Sequence, residues 1–480
     1  MLKIFSIVGL IIYFAVLLFS VTKEKKNNNV EDYFFGGRKL PFWALSITFI
    51  ASWWGAGSAL STADLAYNDG IGAFWYYGVP VLISTFLMII FSKPIRRVGY
   101  LTQGEMMKQR YNKSASKILS VMVLVFMTIT AASQMVGIGM FFGTYLGLSY
   151  EWAIIIGTGI VFIYSVFGGF RGVVVTDIIQ FVLLLAAAIA VMVVAMNKAG
   201  GFDNIQLTAL AKGKVDFMNF GSGASKYIMY VITFGCAWMI QANVWQRISA
   251  TSSEKNARKM TVLSFIVYIP LYLIVVFTGM AGIVLFETIP DGGVVTAIVL
   301  NYMSPIVGAM VFIGISAAIM STMDSLINTG AMTIAMDLWK EKASEKSRLK
   351  VAKLSSVGVS IVALIIALAI RSILTISWIA SDVITTGVFV PLIGGFIWKR
   401  GNSKGAVASM IWGLIYCLYN LILYFGVPIP HFWKLQSVTQ VLFGVGMSLV
   451  LYVVVSLITK SDKEKGNDFV NLTRKKLESN

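Results

Sequence analysis

Thirteen apolar runs of helix-spanning length follow one another along the chain, at about 4–22, 41–66, 73–92, 118–147, 151–168, 173–196, 227–246, 260–286, 302–336, 354–370, 374–398, 405–425 and 435–459. About 20 apolar residues in a helix cross the hydrocarbon core of a bilayer. Backbone at that depth must find its hydrogen bonds within the protein, which leaves the helix as the form such runs can take. A water-soluble reading fails on quantity. Of 480 residues, 57% are hydrophobic and 13% charged, against roughly a quarter charged in soluble domains. Single soluble cores also stop growing near about 250–300 residues. The fold class is therefore an all-α membrane protein with about thirteen transmembrane helices, and the lipid bilayer is its solvent.

The formal net charge of +17 raises nucleic acid as a partner, but the distribution of charge excludes it. Lys and Arg sit in the short segments between runs, and those segments alternate in richness. With the N-terminus outside, the segments assigned inside carry 32 of the 39 Lys and Arg. The outer ones carry only Lys3, Lys198, Lys212, Lys214, Lys226, Arg371 and Lys434. This asymmetry is the positive-inside pattern. It predicts a multi-pass protein of the plasma membrane with an outer N-terminus and a cytoplasmic C-terminus. Residues 1–22 read as a retained extra helix: only Lys3 precedes the apolar stretch, no small-residue cleavage site follows it, and Lys23, Lys25, Lys26, Arg38 and Lys39 come next. The segment 93–117 reads as an amphipathic surface helix beside anionic lipid. The tail, 460–480, reads as cytoplasmic and either disordered or lying on the surface.

The polar residues inside the runs narrow the function. Cys236 and Cys417 both fall inside predicted helices and read as packing residues. One histidine, His431, in a predicted loop gives no His-built metal or proton-relay site. No phosphate loop, metal-ligand cluster or nucleophile–His pairing supports an enzyme. In the second run, ASWWGAGSALSTAD (51–64) puts Gly55, Gly57 and Ser58 at mid-depth. Such small residues either let two helices approach closely or mark a broken helix whose freed backbone groups line a site. In the ninth run, Ser321, Asp324 and Ser325 cluster on one helical face with Thr322 beside them. An acidic group with three hydroxyls at mid-span is a functional signal, and oxygen-only ligands suit a hard cation. Asp177, with Thr176, lies about a turn and a half inside the sixth run. It reads as an ion-pair partner of Arg171, a cation ligand or a proton carrier. Asp382 is similarly placed in the eleventh run, and Arg371 or a polar cavity could satisfy it. Gly235, Gln241, Asn243 and Gln246 interrupt the seventh run, where amides bond across helices or line a substrate.

Taken together these segments resemble the sodium:solute symporter family, which includes sugar, proline, iodide and sialic-acid carriers. The resemblance runs from about residue 30 to about 415. It is carried by EDYFFGGRKLPFW (31–43), GGFRGVVVTDIIQ (168–180), WQRISATSSEKNAR (245–258), AAIMSTMDSLIN (317–328) and PLIGGFIWKRGNSKGA (391–406), in the right order and on the right sides of the membrane. It implies a LeuT-type core of two inverted five-helix repeats, with the first and sixth core helices broken at the midplane. That core spans 41–398, preceded by the helix of 1–22 and followed by two more helices over 405–459. The implied activity is sodium-driven import of a small organic solute (a sugar, amino acid or organic acid) by alternating access. A proton-coupled symporter using Asp177 or Asp324, or a channel or uniporter, is the competing reading.

Carried over residue by residue, the resemblance implies a first sodium site of the Ala51, Trp54 and Ala318 carbonyls with the Ser321 and Thr322 hydroxyls. A second site would use Asp177, Ser321, Asp324 and Ser325, so one or two sodium ions are expected and no organic cofactor. The implied solute site comprises Ser52, Trp53, Ser58, Phe74, Trp75, Tyr77, Gln134, Trp238, Gln241 and Asn243, with Trp378 and Asp382. The fourth run carries no arginine to clamp a carboxylate. The unit is expected to work as a monomer.

Overall fold

The computed structural model describes residues 1–22, 30–340 and 343–475, so the basic residues Lys23, Lys25 and Lys26 lie outside the described residues. The described chain is helical throughout. In order, the helices are α1 (Leu2–Thr22), α2 (Val30–Phe35), α3 (Phe42–Ala51), α4 (Thr62–Asp69), α5 (Phe74–Val98), α6 (Gln103–Arg110) and α7 (Lys113–Leu146). They continue with α8 (Tyr150–Ala199), α9 (Gly201–Ala211), α10 (Ser222–Met239), α11 (Ala242–Ala250), α12 (Glu254–Leu285), α13 (Val294–Tyr302) and α14 (Pro305–Thr333). The last six are α15 (Glu345–Ala369), α16 (Ile373–Gly387), α17 (Phe389–Ile397), α18 (Ser403–Tyr424), α19 (Val438–Ile458) and α20 (Lys463–Arg474).

Helix occupies each of the thirteen apolar runs. By length and composition, nine helices among the described residues are fit to cross a membrane, or eleven when two bent pairs are each taken as one span. The difference from thirteen lies in short or interrupted pieces. Runs five and six form one continuous helix, α8, bent at Gly169, whose φ of 54° breaks the helical path. A side chain there would also meet the Tyr33 carbonyl oxygen at 2.9 Å, so the kink needs glycine.

Three more breaks shape the core. Run two is interrupted between α3 and a π-helical turn, Gly57–Ser61, that leads into α4. Run seven bends by 41° between α10 and α11, and run eleven by 41° between α16 and α17. α14 runs through the centre. Every residue from Gly314 to Thr333 along it is buried, packed between α7, α8, α15 and α1.

One surface expectation needs correction. The 93–117 segment is no free amphipathic helix on the lipid surface. α5 continues to Val98, and α6 tucks Met106, Met107 and Arg110 inside. The buried Arg110 guanidinium donates to the carbonyls of Gly395, Trp398 and Gly401 at 3.0, 2.8 and 3.0 Å, capping the end of α17. Burial of so strong a donor is tolerated because its hydrogen bonds are largely met. Of the two readings of the tail, the surface-lying one matches the structure, in which α20 lies largely exposed. α20 buries Phe469 and Val470, Arg97 donates to the Thr473 carbonyl at 3.1 Å, and Lys465 donates to that of Tyr111 at 3.3 Å.

Candidate functional site

The break in run two begins with tightening turns: Trp53 N–H bonds the Ile50 carbonyl and Trp54 N–H that of Ala51, both at 3.3 Å, in place of α-helical partners. The chain resumes at Ala59 N–H to Gly55 carbonyl, 2.9 Å. The amides opening the second half point inward, and Gln134 of α7 caps one of them, its side-chain oxygen accepting from Ala56 N–H at 2.8 Å. A Cβ on Gly55 would lie 2.1 Å from that oxygen, and one on Gly57 would lie 2.2 Å from the Tyr77 hydroxyl. A methyl group at either place would push the Gln134 amide or the Tyr77 ring aside, and the backbone bonds show that of the two sequence readings the broken helix is the one found.

The second break, at Ile240 and Gln241, faces the first. Gln103 donates to the exposed carbonyl of Ile240 at 2.7 Å, and the Trp53 indole N–H donates to the Gln241 side-chain oxygen at 2.5 Å. Between the breaks lies a cavity of about 40 Å³, room for about three waters. Ser52, Trp53, Ser58, Tyr77, Gln134, Trp238 and Gln241 line it, as expected, and so do Gly55, Gly57, Thr130, Thr322, Ser377 and Ser381. No lining side chain is charged.

The structure does not bring five of the expected solute residues to this wall. Phe74 packs on Phe220 and Tyr272, and Trp75 on Phe220. Asn243, in the first turn of α11, is fully buried with neither amide atom hydrogen-bonded. Trp378 and Asp382 line a different cavity. Their neighbours Ser377 and Ser381, also four residues apart, occupy the face turned to the central one. The sequence pattern gave the right helix and the wrong face.

Beside the cavity, the Thr322 hydroxyl of α14 lies 3.2 Å from the Ala51 carbonyl and 3.4 Å from that of Ala318. Three of the five oxygens expected for the first sodium site converge at the end of α3. Ser321 turns the other way and donates to Asp177. Hydroxyl and carbonyl oxygens at a helix break are donors a hard cation accepts.

Deeper toward α11 lies a buried charge cluster. Asp177 accepts hydrogen bonds from Thr48 and Ser321. Its countercharge is Arg247 of α11, with Nη2 at 3.4 Å, and both residues are essentially unexposed. Arg247 also donates to the Thr48 carbonyl (3.1 Å), the Asn243 carbonyl (2.8 Å) and the Ser325 hydroxyl (2.8 Å). Asp324, next to Ser325 on α14, is buried as well. The position read as a second cation site therefore brings Asp177, Ser321 and Ser325 around a resident guanidinium. Arg171, the partner weighed from sequence, instead donates to the Gly36 carbonyl at 3.0 Å. Arg247 was missed because it adjoins a basic cytoplasmic stretch and counts there as a positive-inside charge.

Two facing broken helices around a small neutral cavity, with a cation-type oxygen cluster at one break, define a LeuT-fold secondary transporter. The match to the family model of the sodium:solute symporter family covers residues 33–413, and the chain belongs to that family. It is similar to sodium/proline symporter 2 of Staphylococcus saprophyticus, 26% identical, with 94% of this chain and 92% of that protein covered. It is also similar to a sodium/glucose cotransporter of Vibrio parahaemolyticus, 25% identical, covering 95% and 91%. In fold it resembles a sodium-coupled sialic acid symporter solved in a substrate-bound outward-open state, with a TM-score of 0.78, 19% identity, and 95% and 98% of the two chains covered. The protein is a sodium-coupled solute symporter of the membrane and not an enzyme.

Proposed function

We propose that the solute is a small zwitterionic amino acid of proline's size, imported across the plasma membrane with one sodium ion by a monomer. The single observation that carries the solute class is the lining of the central cavity: free of charged side chains, walled by Trp53, Tyr77 and Trp238, and open to the amide end of a half-helix. A zwitterion suits a neutral pocket because it brings no net charge. Its carboxylate suits half-helix amides, which favour an anion without any arginine. The naming of similar full-length proteins as proline transporters adds support.

The sodium ion would sit where Thr322 meets the Ala51 and Ala318 carbonyls, with Trp54 of the inferred set beside them; Ser321, bonded to Asp177, would have to turn back to join the shell. Bound there it ties α14 to the end of α3 and so fixes the break that shapes the solute cavity. Thr322 belongs to both places, which gives ion and solute a shared side chain through which each raises the other's affinity. Entry of one charge under about 100 mV adds roughly 2.3 kcal/mol to the concentration gradient. We assign one ion because the Asp177 carboxylate already has Arg247 as its countercharge. That pairing also argues against Asp177 as a proton carrier.

Purified protein in liposomes tests the reading. With an inward sodium gradient, labelled proline should accumulate and labelled glucose should not. Removal of sodium should stop uptake, while a proton gradient alone should not drive it. Glucose accumulation without proline accumulation would overturn the solute class.

A further inference from the structure

We propose that Gln103 is a positioning residue of the transport cycle. Its hydrogen bond to the Ile240 carbonyl holds the second broken helix against its neighbours, and release of that bond lets the central cavity open to the cytoplasm. Gln103 is the first residue of α6, on the side assigned as cytoplasmic. Its Nε2 donates at 2.7 Å to Ile240, the residue at which α10 stops. Gln241 comes next and lines the central cavity. The bond therefore falls on the break itself, one residue from the solute site.

α6 is fastened elsewhere. Thr102, its N-cap, donates at 2.5 Å to Asp337, in the π-helical turn Ile334–Leu338 that extends α14. The helix packs on α7, and Arg110 at its far end caps α17. Gln103 thus reaches from a frame of α7, α14 and α17 across to α10–α11. Inward of the break the two faces meet around a cavity of about 10 Å³, lined by Gln103, Gln246, Ser249, Thr333 and Asp337 among others. That leaves room for at most about one water. A solute moving from the central cavity to the cytoplasm needs this seam to part.

Two observations mark the bond as a latch. Gln103 is 4% exposed, yet its Oε1 has no hydrogen-bond partner among the described residues. A methionine would fill the same space without stranding an oxygen, so the glutamine is there for its donor. The bond is also single and between neutral groups, which shifts a two-state equilibrium by about two- to tenfold. Such a bond biases the resting state and can still open in every cycle.

Labelling of one cysteine tests this and needs no solute. Ser381→Cys, in the wall of the central cavity, is made in a background lacking Cys236 and Cys417. A small charged methanethiosulfonate is then applied to the outer face in right-side-out vesicles and to the cytoplasmic face in inside-out ones. Gln103→Met keeps the length and loses the donor, whereas Gln103→Asn keeps the amide and loses the reach. Each should speed labelling from the cytoplasmic face about threefold or more and slow it from the outer face, as a population shifted inward requires. The proposal falls if neither variant changes labelling from either face. It falls equally if labelling rises from both faces, which is what loosened packing gives.

Discussion

A single hydroxyl, that of Thr322, touches both the carbonyl cluster at the end of α3 and the wall of the solute cavity. Thr322→Ala removes one oxygen and keeps the helix. The sodium concentration for half-maximal uptake should rise severalfold, with solute affinity at saturating sodium changing less. Uptake titrated against sodium at fixed solute checks this, and an unchanged sodium dependence would make the hydroxyl a packing group. The neighbouring pair Asp177 and Arg247 behaves differently because both are fully buried. Removing one partner strands the other, at a cost of about 3–5 kcal/mol. Arg247→Gln should therefore lower the thermal unfolding midpoint markedly, and the double change Asp177→Asn with Arg247→Gln should recover much of the loss. A double variant as unstable as Arg247→Gln alone would mean that packing, not charge, is what was lost. Asp177 was legible in the sequence because an acid inside an apolar run is conspicuous. Arg247 was not, since linear order places it beside cytoplasmic lysines and only the extension of α11 to Ala250 puts it in the core.

The elements owe their function to where they stop. Run two could be a tight helix–helix contact or a broken helix, and the sequence could not choose, because small residues serve both. What decides is the backbone, whose Trp53 and Trp54 amides turn back to the Ile50 and Ala51 carbonyls before the helix resumes. Gly55→Ala should reduce uptake at least tenfold while the protein still reaches the membrane, because its methyl group displaces the Gln134 oxygen from the Ala56 amide. Shortening the opposing side chain in Gly55→Ala/Gln134→Ala should restore part of the transport if the clash is the cause. Equal loss in both would point to the Gln134 hydrogen bond itself. The break in α16–α17 and the ordered α20 were invisible from the sequence for a related reason. Gly387 and Pro391 flank the α16–α17 break, but neither marks one by itself in a membrane helix, and the α20 sequence KEKGNDFVNLTR is polar enough to read as a solvated tail. It is held by two buried apolar side chains and by carbonyl contacts from Arg97 and Lys465.

At the scale of the whole molecule, the contacts between loops bear on the topology that charge alone suggested. Segments assigned inside meet one another: Arg38 donates to the Gly99 carbonyl, Arg96 to that of Thr251, Arg97 pairs with Glu254, and Thr102 bonds Asp337. Segments assigned outside do the same: Lys226 pairs with Asp69, Lys212 with Glu287, and Arg371 with Glu151. The first half of α8 runs from Tyr150 to the kink at Gly169. Its ends keep different company, Glu151 with Arg371 and Arg171 with Gly36. The 20 residues separating them rise about 30 Å as a helix, the thickness of the hydrocarbon core. We therefore predict that cysteines placed at positions 151 and 171 in a cysteine-free background label from opposite sides of intact cells with a membrane-impermeant maleimide. Position 151 should react directly, and position 171 only after the membrane is opened. A reporter fused after residue 480 should be cytoplasmic and one at residue 1 outside. If 151 and 171 label from the same side, the thirteen-span count falls, and the reading of α8 as two spans of the core falls with it.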